Sequence, residues 1–243
     1  MTSMRNSNLL LAAATAVCAV LAILSAPWAL ATPWMNFAFK PLATLAVIAY
    51  AWGRGADQPL TRRWVLIGLA FSLAGDVALL WPKQGFLPGL VSFLLAHLAY
   101  LVAITRHSRL AARPLAFVAY ALVAGAILAW LWPGVPGALR LPVLAYVVCL
   151  AAMAAQAAVL WRQGQPRGAV LALGGALFVV SDALLASNKF GQPLALSSLW
   201  ILSTYWSAQW CIASWLAPAR RAEDIAPTRS AEDIAPAPRP DAS

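Results

Sequence analysis

Residues 64–81 read WVLIGLAFSLAGDVALLW, an apolar run held between two tryptophans and broken near its far end by one carboxylate, Asp76. A second run, AVLALGGALFVVSDALLAS over 169–187, carries Asp182 at nearly the same place. A bilayer core of about 30 Å is crossed by roughly 20 apolar residues in a helix, so both runs read as transmembrane helices. A charge near the bilayer centre costs about 3 kcal/mol on insertion scales, and residues kept there face a cavity or a partner and mark a functional site. Asp76 and Asp182 are the only acidic residues of the apolar body. The others, Asp57, Glu223, Asp224, Glu232, Asp233 and Asp241, fall in a loop or in the tail.

The rest of the chain follows the same pattern. Of 243 residues 62% are hydrophobic and 10% charged, which is far from a water-soluble domain. Apolar segments can be marked at 9–31, 34–52, 64–81, 86–105, 114–132, 141–161, 169–187 and 195–216. Strand-like alternation is missing from them, which argues against an outer-membrane barrel. The expected fold is therefore all-α, a polytopic membrane bundle of about eight transmembrane helices that forms one domain over residues 1–216. From residue 217 the composition turns to Pro, Ala and charge. There Arg-Ala-Glu-Asp-Ile-Ala-Pro from Arg221 recurs as Ser-Ala-Glu-Asp-Ile-Ala-Pro from Ser230. Such a segment buries no core, so 217–243 is expected to be a disordered cytoplasmic tail.

A net charge of +9 would suggest nucleic acid as a partner in a soluble protein, but its distribution points to topology. Arg5, Arg54, Arg62, Arg63, Arg106, Arg109, Arg113, Arg162, Arg167, Arg220, Arg221, Arg229 and Arg239 fall on one side of the bundle. Lys83, Arg140 and Lys189 fall on the other, and Lys40 lies inside the second segment. The positive-inside rule then places both termini in the cytoplasm, with tryptophans at the segment ends as interfacial anchors. The first segment, ending in Ala29-Leu30-Ala31, also resembles a secretory signal peptide. Its apolar run is long for one, and cleavage would put the new N-terminus opposite the basic loops. Cys18, Cys149 and Cys211 all fall inside helices and form no disulfide framework. The Ala- and Arg-rich composition suggests a bacterial inner membrane.

A shift of 106 residues lays Gly68, Asp76, Leu79, Lys83 and Gly85 on Gly174, Asp182, Leu185, Lys189 and Gly191. The offset is four helices, as in a parallel duplication that brings both aspartates in at matching depth. Chance similarity between apolar helices is the alternative. At 1.5 Å per residue Asp76 lies about 18 Å from Trp64 and Asp182 about 20 Å from Ala169, both beyond the midplane. Lys40 enters from the far side to a similar level. His97 and Tyr205 lie nearer the middle, so one polar chamber can hold all five. Asn36, Lys40 and Thr44 share a helix face, as do His97 and Tyr100, and Ser198, Tyr205 and Gln209. Pro41 frees a carbonyl inside the second helix. Each polar row can equally serve interhelical hydrogen bonding, and Lys40 with one Asp can be a structural ion pair. Two acids facing one cavity, however, repel and divide into a protonated and an ionised member, as acid and base catalysis requires.

These residues carry a resemblance. Lys40-Pro41 with Thr44, the run Phe71-Ser72-Leu73-Ala74-Gly75-Asp76, the run Phe93-Leu94-Leu95-Ala96-His97-Leu98-Ala99-Tyr100 and the stretch Gly175–Leu185 around Ser181-Asp182 resemble the YhhN-like, or lysoplasmalogenase, family of eight-helix membrane proteins. The likeness covers roughly residues 40–215. It implies hydrolysis of the vinyl ether bond of alkenyl lysophospholipids, releasing a fatty aldehyde and a glycerophospho-head group. On that reading Asp76 and Asp182 are the catalytic pair, with which is acid and which base left open. Lys40 would hold a carboxylate ionised or contact phosphate. His97, Tyr100 and Tyr205 would position water or the head group, and Asn188 and Lys189 would meet the head group at the membrane surface. No cofactor or metal is called for, and His97 and His107 alone do not make a clustered-histidine zinc site. The partners are then the lysolipid and the bilayer, not nucleic acid, with the oligomeric state open. A proton-coupled carrier using the same buried Asp, Lys and His residues is the alternative. Ser181 beside Asp182 is a weak nucleophile candidate for ordinary ester cleavage.

Overall fold

The structure, a computed structural model, describes residues 2–81 and 83–218. Apart from Ala217 and Pro218, the tail expected from residue 217 lies outside the described residues. Among the described residues there are eight α-helices and no strand: α1 (Thr2–Leu24), α2 (Pro33–Trp52), α3 (Pro59–Ala78), α4 (Phe86–Thr105), α5 (Pro114–Leu131), α6 (Arg140–Arg162), α7 (Gly168–Phe190) and α8 (Ser197–Trp215). Pro33, Pro59 and Pro114 open their helices, where a missing N–H is no loss and the fixed φ suits the first turn.

The expected all-helical architecture is therefore the observed one, with shifted boundaries. α1 begins earlier and stops at Leu24, because Pro27 cannot continue it and the Ser25 hydroxyl donates to the Ala22 carbonyl at 2.6 Å. α3 stops at Ala78. The turn behind it doubles back so closely that a Cβ on Gly85 would lie 1.8 Å from the Ala78 carbonyl oxygen. α7 runs on to Phe190, and the connection to α8 ends on Leu196 at φ 55, in the left-handed region.

Five stretches are each long and apolar enough to cross a membrane: Asn6–Leu24, Phe86–Thr105, Pro114–Gly134, Gly137–Arg162 and Gly168–Phe190. α2, α3 and α8 carry more polar residues, and these turn into the bundle: Lys40, Thr44, Ser72, Asp76 and Gln209 are all buried. The outer face is apolar instead, with Leu115 and Leu141 each 76% exposed. A surface of that kind belongs in lipid, and the chain is an integral, multi-pass membrane protein.

Neighbouring helices pair in chain order, α1 with α2, α3 with α4, α6 with α7 and α7 with α8. Beyond these, α8 packs on α2 just as α4 packs on α6, which is the same relation four helices on. Small residues set the close crossings. Gly68 and Gly75 of α3 lie beneath the rings of Tyr100 and Phe93 of α4, and Gly174 and Gly175 of α7 lie against α8 and α6.

One end of the bundle is basic and tied together. Arg54 Nε and Arg167 Nη1 both donate to the Leu216 carbonyl at 2.9 Å, satisfying the open C-terminal turn of α8 with two cations. Gln156 Nε2 donates to the Ser108 and Arg109 carbonyls, and the Thr61 hydroxyl is 3.0 Å from His107 Nε2. The opposite end carries Lys189 over the Phe86 ring and the Phe86–Phe190 contact.

Two measurements probe this frame. A Cβ on Gly68 would fall 2.2 Å from the Tyr100 ring, while one on Gly125 would meet nothing within 4 Å. Gly68→Ala is expected to lower stability by about 1–3 kcal/mol, and Gly125→Ala to leave it unchanged or raise it by up to about 1 kcal/mol, read by thermal unfolding in detergent. Burial, then the Arg106 cation, hold the loop imidazole of His107 below its ordinary value of 6.5. A depressed folded-state value means this contribution is complete above pH 6.5 and is lost as pH falls through the folded value. Stability should therefore decline on acidification from pH 6.5 down to the folded value and level off below it, and His107→Gln should flatten that part of the profile.

Candidate active site

The two aspartates sit in different surroundings. Asp76, near the end of α3, is 1% exposed. α2 places Lys40 and Thr44 one turn apart on the face toward it, and α8 does the same with Tyr205 and Gln209. Asp76 Oδ2 accepts from the Thr44 hydroxyl at 2.6 Å and from the Tyr205 hydroxyl at 2.8 Å, while Oδ1 lies 3.6 Å from Lys40 Nζ. Behind these, Trp206 Nε1 donates to Thr44 Oγ1 at 3.2 Å and Gln209 Nε2 to the Tyr205 hydroxyl at 3.2 Å. The Tyr100 hydroxyl donates to Gln209 Oε1 at 2.7 Å and stands 3.4 Å from Ser72 Oγ. Each group passes a hydrogen bond inward, and the series ends on the Asp76 carboxylate.

Among the described residues Asp182 of α7 has one hydrogen-bond partner, the Tyr146 hydroxyl of α6, which donates to Oδ2 at 2.5 Å. Its other oxygen makes no hydrogen bond among the described residues. Both side chains line a cleft of about 880 Å³, its open mouth included, enclosed by the turn after α3 and by α4, α5, α6 and α7. Otherwise the wall is hydrocarbon, including Leu79, Leu90, Phe93, Ile127, Leu128 and Val147. Small-molecule sites are largely apolar with a few placed polar groups, and the wall of this cleft has that makeup.

No contact joins the two carboxylates among the described residues. Aromatic rings stand between them: Tyr205 packs on Phe178 at 5.7 Å between centroids, Phe178 on His97 at 4.6 Å, and His97 on Tyr146 at 5.3 Å. His97 is fully buried, and neither of its ring nitrogens has a hydrogen-bond partner among the described residues. Of the five residues expected in one chamber, the structure thus brings Lys40, Asp76 and Tyr205 into contact. It sets Asp182 beside the cleft and leaves His97 between the two groups.

The remaining candidates divide by position. Ser181 donates to the Ile201 carbonyl at 3.1 Å, the bond of an interhelical tie and not of a nucleophile beside a base. Asn188 Oδ1 accepts from the Leu194 N–H at 2.9 Å and shapes the α7–α8 connection. Lys189 is exposed, 4.9 Å above the Phe86 ring, and Phe86 and Phe190 are part of the cleft wall. Ser198, grouped by helical spacing with Tyr205, instead accepts from Trp28 Nε1 at 2.8 Å. Sequence reasoning missed Tyr146. One signal for it was present, since Tyr146 is related to Lys40 by the same 106-residue shift that relates Asp182 to Asp76.

A helical membrane protein with an acidic group in the wall of an apolar cleft is the class this architecture defines. The chain belongs to the YhhN family, whose sequence model matches residues 35–216. Among characterised proteins it is 34% identical over 176 residues to lysoplasmalogenase TMEM86B of Sus scrofa, covering 72% of this chain and 73% of that one. It is 34% identical over 193 residues to lysoplasmalogenase TMEM86A of Homo sapiens, covering 74% and 77%, and 30% identical over 187 residues to a lysoplasmalogenase of Mycobacterium bovis, covering 71% and 66%. No solved structure matches the chain.

The Asp76 cluster makes its own stability claim. Removing one member of a buried ion pair leaves the other uncompensated, at a cost of about 3–5 kcal/mol. Lys40→Met should destabilise the bundle on that scale, and Lys40→Met with Asp76→Leu should recover much of the loss. Thermal unfolding of the three proteins in one detergent checks both.

Proposed function

We propose that this protein is a hydrolase of the vinyl ether bond of alkenyl lysophospholipids. The observation that carries the reading is the cleft, whose hydrocarbon wall is broken by the Asp182 carboxyl and the Tyr146 hydroxyl bonded to it. The naming of the family's characterised members as lysoplasmalogenases supports the same substrate class.

Vinyl ether hydrolysis asks for an acid first. A proton goes to the alkenyl carbon beyond the ether carbon, giving an oxocarbenium ion. Water then attacks that ion, giving up a proton, and the resulting hemiacetal collapses to a fatty aldehyde and a glycerophospho-head group. In our reading Asp182 is the donor, because it faces the cleft and retains an oxygen free of protein partners. Its conjugate base then takes the proton from water, as one carboxyl of a glycosidase serves in turn as acid and base. Asp76 is the second member of the pair. Two hydroxyl donors and an ammonium around it suit the acceptor-only, ionised form, and its link to Tyr205 fixes the ring wall that runs to His97 and Tyr146. His97, whose nitrogens are free of protein partners, holds water on the path to the cation.

Eight crossings with both termini on the cytoplasmic side complete the reading. Its support is the charge asymmetry, with Arg54, Arg106, Arg109 and Arg167 at one end of the bundle and Lys189 and Arg140 at the other. Residues 1–216 then form the catalytic unit ahead of the tail, in the inner membrane of a bacterium.

The test is aldehyde release from a defined alkenyl lysophospholipid by the purified protein in detergent, where no gradient exists for a carrier to use. Turnover is expected with the alkenyl substrate and not with its acyl counterpart. Asp182→Asn should lose about 10²–10⁴-fold in rate, the usual worth of a general acid. Asp76→Asn should be similarly inactive while still folded, and Tyr146→Phe should be slowed less than Asp182→Asn. Full activity in both Asp→Asn variants would sink the paired mechanism, and no product from any substrate would return the carrier reading.

A further inference from the structure

The two halves of the bundle differ at one place that decides how a lipid reaches the site. Under the four-helix shift α5 corresponds to α1, and α4 to α8. In the first half α1 closes against α8, and Trp28 beyond its end donates to Ser198 at the start of α8. In the second half α5 rests on α6 and makes no comparable contact with α4. Leu131 is its one buried residue among those described, and its outer face is open, with Leu122 70% exposed. The cleft lies over α6 and α7 beside this gap, with Leu90 and Phe93 of α4 on one side and Ala124, Ile127 and Leu128 of α5 on the other.

Distances along the cleft match one kind of occupant. Phe86 and Phe190 line its less basic end, and Lys189 lies over the Phe86 ring there. Asp182 lies two turns deeper on the same helix, about 10 Å by helical rise. In an alkenyl lysophospholipid the phosphorus and the carbon to be protonated are seven ordinary covalent bonds apart, on the order of 9 Å when extended. A phosphate beside the Lys189 ammonium therefore puts the double bond level with Asp182, and the chain continues along α5.

Resting on the proposed lysolipid hydrolysis, we propose that the α4–α5 gap is a lateral portal and chain-binding site. The alkenyl chain enters sideways from the bilayer and lies against Ala124 and Leu128, with the phosphate held at Lys189. The chain never leaves hydrocarbon, so binding does not require extracting it into water. The size of the side chain at position 124 then governs which chain lengths are accepted.

Two experiments on the purified full chain test this. The first uses a non-hydrolysable alkyl lysophospholipid with a diazirine near the end of its chain, followed by peptide mass spectrometry. Labelling is expected on α4 and α5 and should be competed away by the unlabelled alkyl lipid. Labelling on α1 or α8, or labelling that does not compete, overturns the proposal. The second compares long- and short-chain alkenyl substrates. Ala124→Trp should lose about tenfold or more with the long chain relative to the short one, while Leu122→Trp, on the outer face, should keep the parent profile. An equal loss for both lengths in Ala124→Trp, or the same shift in Leu122→Trp, overturns it. Competed labelling on α5 without aldehyde release would keep the lipid site and reject the reaction, whereas turnover with labelling elsewhere would do the reverse.

Discussion

The Asp76 carboxylate is the constraint around which the bundle is arranged. Buried among hydrocarbon, it requires donors from several directions at once, and α2 and α8 are the helices that supply them through Lys40, Thr44 and Tyr205. The polar character that keeps α2, α3 and α8 from reading as simple apolar spans is the same character that holds them together. Once they are joined, Tyr205, Phe178 and His97 pack edge to face in fixed order, and that order leads to Tyr146 and Asp182.

A shared arrangement used in two ways runs through the molecule. Lys40 with Asp76 and Tyr146 with Asp182 are two pairs of positions 106 residues apart. In the first copy the partner is a cation, the carboxylate is enclosed, and α1 seals the outside. In the second the partner is a neutral hydroxyl, one oxygen is left over, and α5 stands away. Burying a carboxylate with full satisfaction favours order, whereas leaving one acceptor unused in an apolar wall retains chemical capacity. That contrast is the physical basis of our proposal that Asp182 is the reactive carboxyl and Asp76 the supporting one.

The cleft also accounts for features that the core does not need. α5 contributes little to the buried interior, yet it carries the apolar residues facing the site. Lys189 caps no carbonyl among the described residues and instead lies over the Phe86 ring, where an ammonium on an aromatic face stays accessible. An enzyme acting on a membrane lipid meets a substrate already concentrated in its own solvent. The structural requirement is a side opening and a placed acid more than a closed pocket.

The amino-acid sequence by itself determined the helical membrane class, the segments in their order, the basic end and the two carboxylates as the residues to watch. It did so because length, hydropathy and charge placement are local properties that the bilayer reads one helix at a time. It also grouped Lys40 with Thr44 and Tyr205 with Gln209, since helical spacing decides which side chains share a face. Only the tertiary structure decided which faces meet. It separated Asp182 from the Lys40–Asp76 group, brought in Tyr146 from a helix with no other polar signal near it, turned Ser198 toward Trp28, and opened the cleft between α4 and α5. Those outcomes depend on how closely helices approach at Gly68, Gly75, Gly174 and Gly175 and on which neighbour a helix fails to touch. Neither property is carried by any single segment.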